Sequence, residues 1–482
     1  MKPSVELANK HVLVVGLART GVATALFCAA RGARVTATEQ RSAAELGDAV
    51  ERLRAAGCTL ELGGHGASTF LDQDLIVPSP GVSSGLSGLV AARAAQIPIW
   101  SEIELAWRFL RGRLIAITGS NGKTTVTSLV GHILTGAGMP ALVAGNIGTP
   151  LISRVAETNS ATITVAEVSS FQLEMIDALR PDIGVLLNLT PDHLDRHASF
   201  EAYSRAKARM FENQTEDDAA VLNADDAAAS QYAPERPNVY WFTRSKRIAE
   251  GAYLRGEQIL FRRDGQETAL LRRGDIHLRG EHNVENVLAA AAAAFLAGAN
   301  PDAIAAGVRS FPGVEHRLEF VAEVAGVAFF NDSKATNVDA TLKALAAFPG
   351  DLLVILGGKD KGSDYAPLAE PLQQRAKEIL LIGAAAEKIA AQLSLQWSSQ
   401  IALSTSRKPD SPTGVPMERA GTLDRAVALA FEHSRPGDTV LLAPACASFD
   451  QFENYEHRGR VFKEAVHALT AARLTPARSR KG

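Results

Sequence analysis

Residues 114 to 138 constrain the fold of this chain more than any other segment. They read as an apolar strand, LIAIT, followed by the loop GSNGKTT and a helix, VTSLVGHILTGAG. Such a loop turns backbone N–H groups toward a phosphate when a buried strand delivers it to the N-terminus of a helix. The segment therefore predicts an α/β domain with a parallel sheet, and it predicts that this domain binds a nucleotide.

The loop residues have separate predicted roles. The glycines let the backbone turn inward, Lys123 adds a positive charge, and Thr124 offers a hydroxyl to Mg²⁺. The predicted nucleotide-binding residues are Gly119, Ser120, Asn121, Gly122, Lys123, Thr124 and Thr125. The spacing departs from the general G-x-x-x-x-G-K-[ST] pattern, because Ile117 occupies the position of the first glycine. A glycine turn with an exposed lysine is the alternative.

Three βα series follow one another, and a chain of 482 residues is too long for one ordinary core. The first contains the strands HVLVVG, RVTATEQ and LIVPSPGVS, a helix at 86–95 and a short strand at 97–100. The second contains LIAIT, ITVAEV, DIGVLLNLT and an alanine-rich helix. The third contains VAFFND, DLLVILGG, EILLIG and DTVLLAPA. We predict three α/β domains: a Rossmann-like domain at 1–101, a central P-loop ATPase-like domain at 102–313, and a Rossmann-like domain at 314–482 that ends in a basic tail.

Composition excludes several classes of protein. The net charge is −3, from 50 basic and 53 acidic residues, so neither a nucleic-acid partner nor a membrane surface is indicated. The three cysteines lack metal-ligand spacing and indicate reduced thiols. No apolar stretch approaches the roughly 20 residues that cross a bilayer. We expect a cytoplasmic protein, and a monomer.

The first glycine turn, GLARTG at 16–21, leaves three interpretations open. Glu39 closes the second strand about where a ribose-binding acid would lie. The turn fits a dinucleotide site, a site for a different nucleotide that uses the same helix terminus, or a structural turn without a ligand. The sequence pattern by itself does not decide among them.

Longer strings carry more specific information. They are TGSNGKTT at 118–125, SSFQLE at 169–174, PDHLDRH at 191–197, GEHNVENVLAA at 280–290, NDSKATN at 331–337, LGGKDKG at 356–362 and APACASFDQFENYEHRG at 443–459. Together they resemble the Mur ligase and folylpolyglutamate synthase superfamily, and the last three resemble its members that add D-glutamate. The resemblance extends from Gly16 to about Phe462, in the family's order.

The resemblance implies ATP-driven amide formation between UDP-N-acetylmuramoyl-L-alanine and D-glutamate. A carboxylate becomes reactive when the γ-phosphoryl of ATP converts it to an acyl phosphate, and such transfer depends on positioning and charge neutralisation. ATP and Mg²⁺, with two metal sites, are the implied cofactors. The alternatives are an amide ligase of the same superfamily with another amino acid, a module that only hydrolyses ATP, and an NAD-dependent enzyme.

One glutamate and one histidine near the ends of strands are candidate metal ligands. Glu167 ends the strand ITVAEV, and His193 follows VLLNLT after a short turn, at the edge where α/β proteins bind ligands. Lys207 lies on a predicted helix, and from the sequence alone it is expected to be solvated. The resemblance implies that Lys207 is carbamylated and binds Mg²⁺. It implies metal ligation by Thr124, Glu167, His193 and Lys207, and catalytic roles for Lys123, Glu167, His193 and Lys207.

The resemblance also assigns residues to the three substrates. For ATP, the implied residues outside the loop are Asn283, Asn286, Arg317, Asp332 and Lys334, the last three reaching the nucleotide by domain closure. For D-glutamate they are Thr336, Lys361, Ser448, Phe449 (through its backbone) and Tyr455. For the UDP substrate they are Thr20, Glu39, Arg41, Ser79 and Asn146. Helix capping by the two asparagines and an exposed helix-start position for Arg41 are the structural alternatives.

Overall fold

The structure is a computed structural model, and it describes residues 3, 5–66, 68–146, 148–193, 196–402 and 414–474. The chain divides into two compact units. Unit 1 comprises Met1–His277 and Val284–Phe311, and unit 2 comprises Leu278–Asn283 and Pro312–Gly482. The basic tail from residue 475 onward lies outside the described residues.

The first sheet of unit 1 is a four-stranded parallel sheet in the order β3-β2-β1-β4. Its elements are β1 (His11–Val15), α1 (Arg19–Ala29), β2 (Arg34–Glu39), α2 (Ala43–Leu46), α3 (Asp48–Ala55), β3 (Thr59–Leu62), β4 (Leu75–Pro78) and α4 (Ser87–Ala94). The predicted strand at 97–100 is wrong, because Ile99 forms only one bridge, to Ile76. Helix α5 (Glu102–Phe109) leads to the second sheet.

The second sheet of unit 1 has nine strands in the order β13-β12-β11-β10-β9-β8-β5-β7-β6. Its elements are β5 (Arg113–Thr118), α6 (Lys123–Gly136), β6 (Ala141–Gly145), β7 (Ile163–Glu167), α7 (Ser170–Leu173), β8 (Ile183–Leu186), α8 (Phe200–Ala208), β9 (Ala219–Asn223), α9 (Ala227–Ser230), β10 (Asn238–Thr243), β11 (Gly251–Arg255), β12 (Gln258–Arg263), β13 (Gln266–Arg272), α10 (Glu281–Ala297) and α11 (Pro301–Ser310). The strands from β6 to β11 run parallel, and β12 and β13 add two antiparallel pairings.

Unit 2 contains a six-stranded sheet in the order β14-β15-β19-β16-β17-β18. Its elements are β14 (Glu319–Val324), β15 (Val327–Asn331), α12 (Val338–Ala346), β16 (Leu352–Gly357), α13 (Ala369–Arg375), β17 (Ala376–Ile382), α14 (Ala386–Ala402), β18 (Met417–Gly421), α15 (Leu423–His433), β19 (Thr439–Leu442) and α16 (Tyr455–Leu474). All pairings are parallel except β14 with β15. The alternation of parallel strands and helices confirms the predicted α/β class.

Burial explains which parts of the pattern were recognisable. The central strands β7, β8, β9 and β16 are buried along their whole length, as strands covered on both faces must be. The alanine-rich helix α10 is fully buried at residues 287 to 294, because small side chains let a helix pack closely. By contrast, the edge strand β14 is mostly half-exposed and carries two glutamates, so no apolar pattern predicts it.

Among the described residues, no helix combines the length and the apolar composition that a membrane crossing requires.

Candidate functional site

The phosphate-type loop connects β5 to α6 at the middle of the nine-stranded sheet. Gly122 precedes the helix with a φ of +88°. A Cβ atom at this position would collide with Oδ1 of Asn286 and lie 3.3 Å from Cδ1 of Leu187. Lys123 folds back over the loop, and its Nζ donates to the carbonyl oxygens of Gly119 and Ser120, each at 2.8 Å. The loop therefore has the compact form that a phosphate cradle requires.

The chain segment after β8 holds this loop through hydrogen bonds. The Ser120 N–H donates to the Asn188 carbonyl oxygen at 2.9 Å, and the Asn121 N–H donates to Oδ1 of Asn188 at 2.8 Å. Oγ of Ser120 donates to the Thr190 carbonyl oxygen at 2.9 Å. The predicted strand DIGVLLNLT was therefore too long: it ends at Leu186 because the following residues bond to the loop.

Glu167 connects the loop to a second part of unit 1. Its carboxylate is buried at the end of β7 and accepts a hydrogen bond from Oγ1 of Thr124 at 2.8 Å. It also accepts one from Nδ2 of Asn146 at 2.9 Å. A hydroxyl and a carboxylate in contact beside a phosphate loop are the hard oxygen donors that Mg²⁺ prefers.

Lys207 is buried on α8, so the expectation of a solvated lysine was wrong. Its Nζ donates to the Gly119 carbonyl oxygen at 2.9 Å and lies 4.7 Å from the centroid of the Tyr203 ring. Burial, followed by the nearby charge of Lys123, lowers the pKa of Lys207 well below its usual value. A neutral amine in this position is a nucleophile, which is the state that carbamylation by CO₂ requires.

His193 differs from these residues in exposure. Its side chain is 40% exposed, and its backbone has a φ of +53°. The ring packs edge-on against Phe171 with centroids 5.0 Å apart, and Phe171 in turn stacks on His197. The imidazole is thus held from one side and accessible from the other.

The two asparagines at the start of α10 have different surroundings. Asn286 lies against Gly122, since a Cβ atom added to Gly122 would collide with Oδ1 of Asn286. Asn283 belongs to unit 2 and donates from Nδ2 to the Arg279 carbonyl oxygen at 2.7 Å. Asn286 is therefore adjacent to the loop, and Asn283 closes the turn before the helix.

A cavity of about 490 Å³ lies at the carboxyl edge of the first sheet. Four predicted UDP-substrate residues line it, namely Thr20, Glu39, Ser79 and Asn146. The glycine turn gives it shape: Oγ of Ser79 donates to the Gly16 carbonyl oxygen at 2.7 Å, and Gly21 leaves no room for a Cβ beside that oxygen. Gln40, between the predicted residues Glu39 and Arg41, also lines the cavity, as does His65, which was not predicted from the sequence.

Glu39 and Arg41 form an ion pair at the rim of this region. Nη2 of Arg41 donates to Oε2 of Glu39 at 3.0 Å, and the Leu17 N–H donates to the same oxygen at 2.7 Å. Burial would raise the pKa of Glu39, but hydrogen bonds from Arg41 and Leu17 outweigh it and lower the pKa to about 2. Arg41 is not among the residues that line the cavity. A ligand thus meets a carboxylate whose charge is already compensated.

Arg317, Asp332 and Lys334 lie close together in unit 2. Burial raises the pKa of Asp332 to about 7, against the opposing effect of Arg317. The Leu318 N–H donates to Oδ1 of Asp332 at 3.3 Å. Nζ of Lys334 lies 3.6 Å from the centroid of the Tyr455 ring, so one predicted D-glutamate residue contacts one predicted ATP residue.

The other predicted D-glutamate residues occupy loops at the carboxyl edge of the third sheet. Lys361 is exposed after β16, and Thr336 is half-buried before α12. Ser448 is buried after β19, whereas the neighbouring Phe449 is 66% exposed. Exposure of the Phe449 ring is compatible with a role for its backbone alone.

Arg458 joins two of these loops and was not singled out from the sequence. It is fully buried on α16, and its guanidinium donates to Oγ and the carbonyl oxygen of Ser333 at 2.9 and 2.7 Å. It also donates to the carbonyl oxygens of Cys446 and Ala447 at 3.2 and 3.3 Å. Burial lowers the pKa of Arg458 to about 10. Only its place in the string ENYEHRG could have drawn attention to it.

Family models match all three sections of the chain. A Mur ligase MurD-like N-terminal domain matches residues 10–101, and a Mur ligase middle domain matches residues 117–294. A Mur ligase glutamate ligase domain matches residues 316–446.

Curated relatives are similar over almost the whole chain. A UDP-N-acetylmuramoylalanine--D-glutamate ligase of Acidobacterium capsulatum is 52% identical over 470 residues, which cover 97% of this chain and 98% of that protein. The protein of the same name from Solibacter usitatus is 51% identical and covers 96% of this chain and 99% of its own.

Solved structures support the fold. The UDP-N-acetylmuramate-alanine ligase of Thermotoga maritima matches with a TM-score of 0.57 at 20% identity, covering 95% of this chain and 100% of its own. The MurF ligase of the same organism, in complex with ADP, matches with a TM-score of 0.58 at 14% identity, covering 97% of each chain. Three Mur ligase domain models match most of the chain, and relatives with about half of their residues identical cover nearly all of it. This chain therefore belongs to the Mur ligase family.

Proposed function

We propose that this chain joins D-glutamate to UDP-N-acetylmuramoyl-L-alanine at the expense of ATP. The products are ADP, phosphate and UDP-N-acetylmuramoyl-L-alanyl-D-glutamate. Support comes from the curated relatives, whose names state this ligation. The structural observation that carries the proposal is the chain of contacts Asn146–Glu167–Thr124, which runs from the cavity of the first sheet to the phosphate loop.

This chain of contacts suits a reaction between two bound phosphate-containing substrates. The cavity would hold the UDP portion, and the carboxylate of the attached L-alanine would extend past Asn146 toward the loop. One carboxylate oxygen attacks the γ-phosphorus and ADP leaves, which gives an acyl phosphate. The D-glutamate amine then attacks the acyl carbon, phosphate leaves, and the nitrogen loses a proton. Lys123 and the start of α6 would offset the negative charge on the phosphates.

Three of the four proposed Mg²⁺ ligands around the loop can bind the metal without modification. The Thr124 hydroxyl and the Glu167 carboxylate supply two oxygen donors, and His193 supplies an accessible nitrogen. Bound Mg²⁺ would neutralise charge on the transferring phosphoryl group. The Lys207 amine fits a metal only after carbamylation, which would replace a cation by a carboxylate. Its burial and lowered pKa support this modification.

Most of the remaining proposed groups belong to unit 2, whereas Asn286 belongs to unit 1. Arg317, Asp332 and Lys334, with Asn283 and Asn286 of α10, are proposed to hold ATP. The two carboxylates of D-glutamate need cations and hydroxyls, for which the proposed residues are Thr336, Lys361, Ser448, the Phe449 backbone and Tyr455. We expect the reaction to take place in the cytoplasm, since the three cysteines are free and buried.

Phosphate release tests the proposal directly. Purified protein is incubated with ATP, Mg²⁺ and UDP-N-acetylmuramoyl-L-alanine, and D-glutamate is compared with L-glutamate, L-alanine and a diamino acid. We expect release only with D-glutamate, with the UDP-dipeptide identified by mass spectrometry. Lys207→Met should abolish release, and short free carboxylates should partly restore it if a carbamate acts there.

Two outcomes would contradict the proposal. Release with a different amino acid would retain an amide ligase of this family and change the amino-acid substrate. Release without any amino acid would indicate a nucleotide hydrolase. The control Lys343→Met removes a lysine of α12 whose ion pair with Asp339 lies on a helix surface, and it should retain activity.

A further inference from the structure

A buried tyrosine anchors the loop that carries Lys361. Tyr365 is fully buried, and its hydroxyl donates to Oδ1 of Asp360 at 2.8 Å. Sγ of Cys446 lies 3.0 Å from the same hydroxyl. An ionised carboxylate only accepts hydrogen bonds, so the phenolic hydrogen points to Asp360 and the thiol donates to the phenolic oxygen.

Asp360 is also held from helix α14. Nζ of Lys388 lies 2.7 Å from Oδ2 of Asp360, and the Ser363 N–H donates to Oδ1 at 3.1 Å. Burial alone would raise the pKa of Asp360, but the hydrogen bonds from Lys388, Tyr365 and Ser363 lower it below its usual value. Asp360 is therefore a carboxylate whose charge is compensated by Lys388. Without this compensation it would weaken the attraction of the adjacent Lys361 for an anion.

The same loop pairs with the segment that leads to Ser448. The Lys359 N–H donates to the Ala447 carbonyl oxygen at 2.8 Å, and the Ala447 N–H donates back at 3.1 Å. Tyr365 reinforces this pairing through Cys446, the residue before Ala447. Two backbone hydrogen bonds and the side-chain contacts from Asp360 through Tyr365 to Cys446 thus set the distance between the Lys361 loop and the Ser448 segment.

We propose that Asp360 and Tyr365 are positioning residues that set the affinity of this unit for D-glutamate. They fix the Lys361 loop relative to Ser448 without touching the substrate. A two-carboxylate ligand binds well only if its two partners are held at a matching distance, since ordering them on binding costs free energy. The inference rests on the proposed function, because only there do Lys361 and Ser448 bind the two carboxylates.

Tyr365→Phe is the sharpest test, because it removes one oxygen and keeps the buried ring. The matched control is Tyr253→Phe, which removes a phenol bonded to the carboxylate of Glu267 in the β11 to β13 hairpins of unit 1. For Tyr365→Phe we expect the KM for D-glutamate to rise about tenfold, equivalent to about 1.4 kcal/mol. The kcat and the KM values for ATP and the UDP substrate should stay within about twofold. Tyr253→Phe should leave all four constants unchanged.

A second variant covers the case in which Tyr365→Phe does not fold. Asp360→Asn keeps an oxygen acceptor for Tyr365 and loses the charge that pairs with Lys388, so it should also raise the KM for D-glutamate. Where both variants fold, the double variant should cost less than the sum of the two, since the residues act through one contact.

The outcomes separate this inference from the proposed function. If the unmodified protein releases no phosphate with D-glutamate, the proposed function fails. If it does, and both variants keep its KM for D-glutamate while melting at lower temperature, Tyr365 and Asp360 are merely structural and the inference is overturned. An equal rise in all three KM values would overturn it as well.

Discussion

Gly122 has a backbone conformation that an L-residue adopts only with strain, and it lies against Asn286. Both facts belong to a single position in the loop between β5 and α6. The local pattern Gly-Lys-Thr predicted that the backbone turns inward at this glycine, because a phosphate loop needs a glycine before its lysine. The same pattern does not predict the contact with Asn286, because Asn286 lies 164 residues further along the chain.

Gly122→Ala should impair ATP binding more than folding. A forced left-handed conformation costs about 1–3 kcal/mol, and the added Cβ must also displace Asn286. We expect the KM for ATP to rise roughly tenfold or more, with steady-state phosphate release as the measurement. The control is Gly256→Ala in the turn between β11 and β12, where φ is +59° and a Cβ meets nothing within 4 Å. An unchanged KM for ATP in Gly122→Ala would contradict this account of the loop.

Lys207 shows the opposite relation between sequence and environment. A lysine on a short amphipathic helix is usually solvated, and the residues alone predicted that. The packing of α8 against α7 and the phosphate loop buries it instead. The family resemblance, not the helical pattern, indicated its importance, because burial depends on which elements become neighbours.

At the scale of elements, a histidine–glutamate pair links helix α15 to strand β17. His433 is the last residue of α15, and its Nδ1 lies 2.9 Å from the carboxylate of Glu378. The hydrogen bond to Glu378 raises the pKa of His433 above its usual value of 6.5. A protonated histidine also suits the negative end of a helix dipole.

This pair should stabilise the protein in a pH-dependent manner. Because the folded state has the higher pKa, the stabilisation is complete below pH 6.5 and is lost as the pH rises through the folded-state pKa. His433→Gln should therefore lower the melting temperature at about pH 6 and have little effect at about pH 9, with a maximum loss of about 1 kcal/mol for so exposed a pair. Calorimetry at both pH values measures it, and exposed His467→Gln on α16 is the control. A loss that is equal at both pH values would refute the charge interpretation.

Element boundaries were predicted well for most continuously buried strands, with β8 as the exception, and poorly at sheet edges. The strands β5, β7, β15, β16 and β17 match their apolar runs to within a few residues. The antiparallel edge strand β14 and the short strand β18 were missed, because half-exposed strands carry polar residues that also occur in loops.

At the scale of the whole molecule, Glu104 of α5 holds a distant turn of unit 1, which precedes β8. It is fully buried and accepts from the N–H groups of Asp177, Ala178 and Leu179 at 2.7 to 3.2 Å. Arg108 donates to it at 2.6 Å and is itself 5% exposed. The carboxylate thus caps a turn that lies more than 70 positions away.

Glu104→Ala should destabilise unit 1 strongly. Removing one member of a buried ion pair costs about 3–5 kcal/mol. Here three N–H groups lose their acceptor, and Arg108 keeps only the exposed carboxylate of Asp177. Denaturant unfolding followed by the fluorescence of Trp107, which lies on the same helix, should shift to clearly lower denaturant concentration. Glu51→Ala removes an exposed glutamate paired with Arg54 and should change the midpoint little. Equal midpoints for the two variants would contradict the role assigned to Glu104.

The sequence by itself determined the features that depend on neighbouring residues. These are the phosphate loop with its glycines and Lys123, the order of the continuously buried strands, and the acid at the end of β7. Each rests on a stretch of about 20 residues, in which hydrogen-bonding geometry and apolar periodicity act locally.

Only the tertiary structure decided which distant groups meet. The strand order places β7 beside β5, so Glu167 reaches Thr124, and it places Asn146 at the cavity of the first sheet. It also adds His65 to that cavity and buries Arg458 between two loops. These contacts result from the packing of sheets and helices, which no local pattern encodes because the same strand could pair with several others.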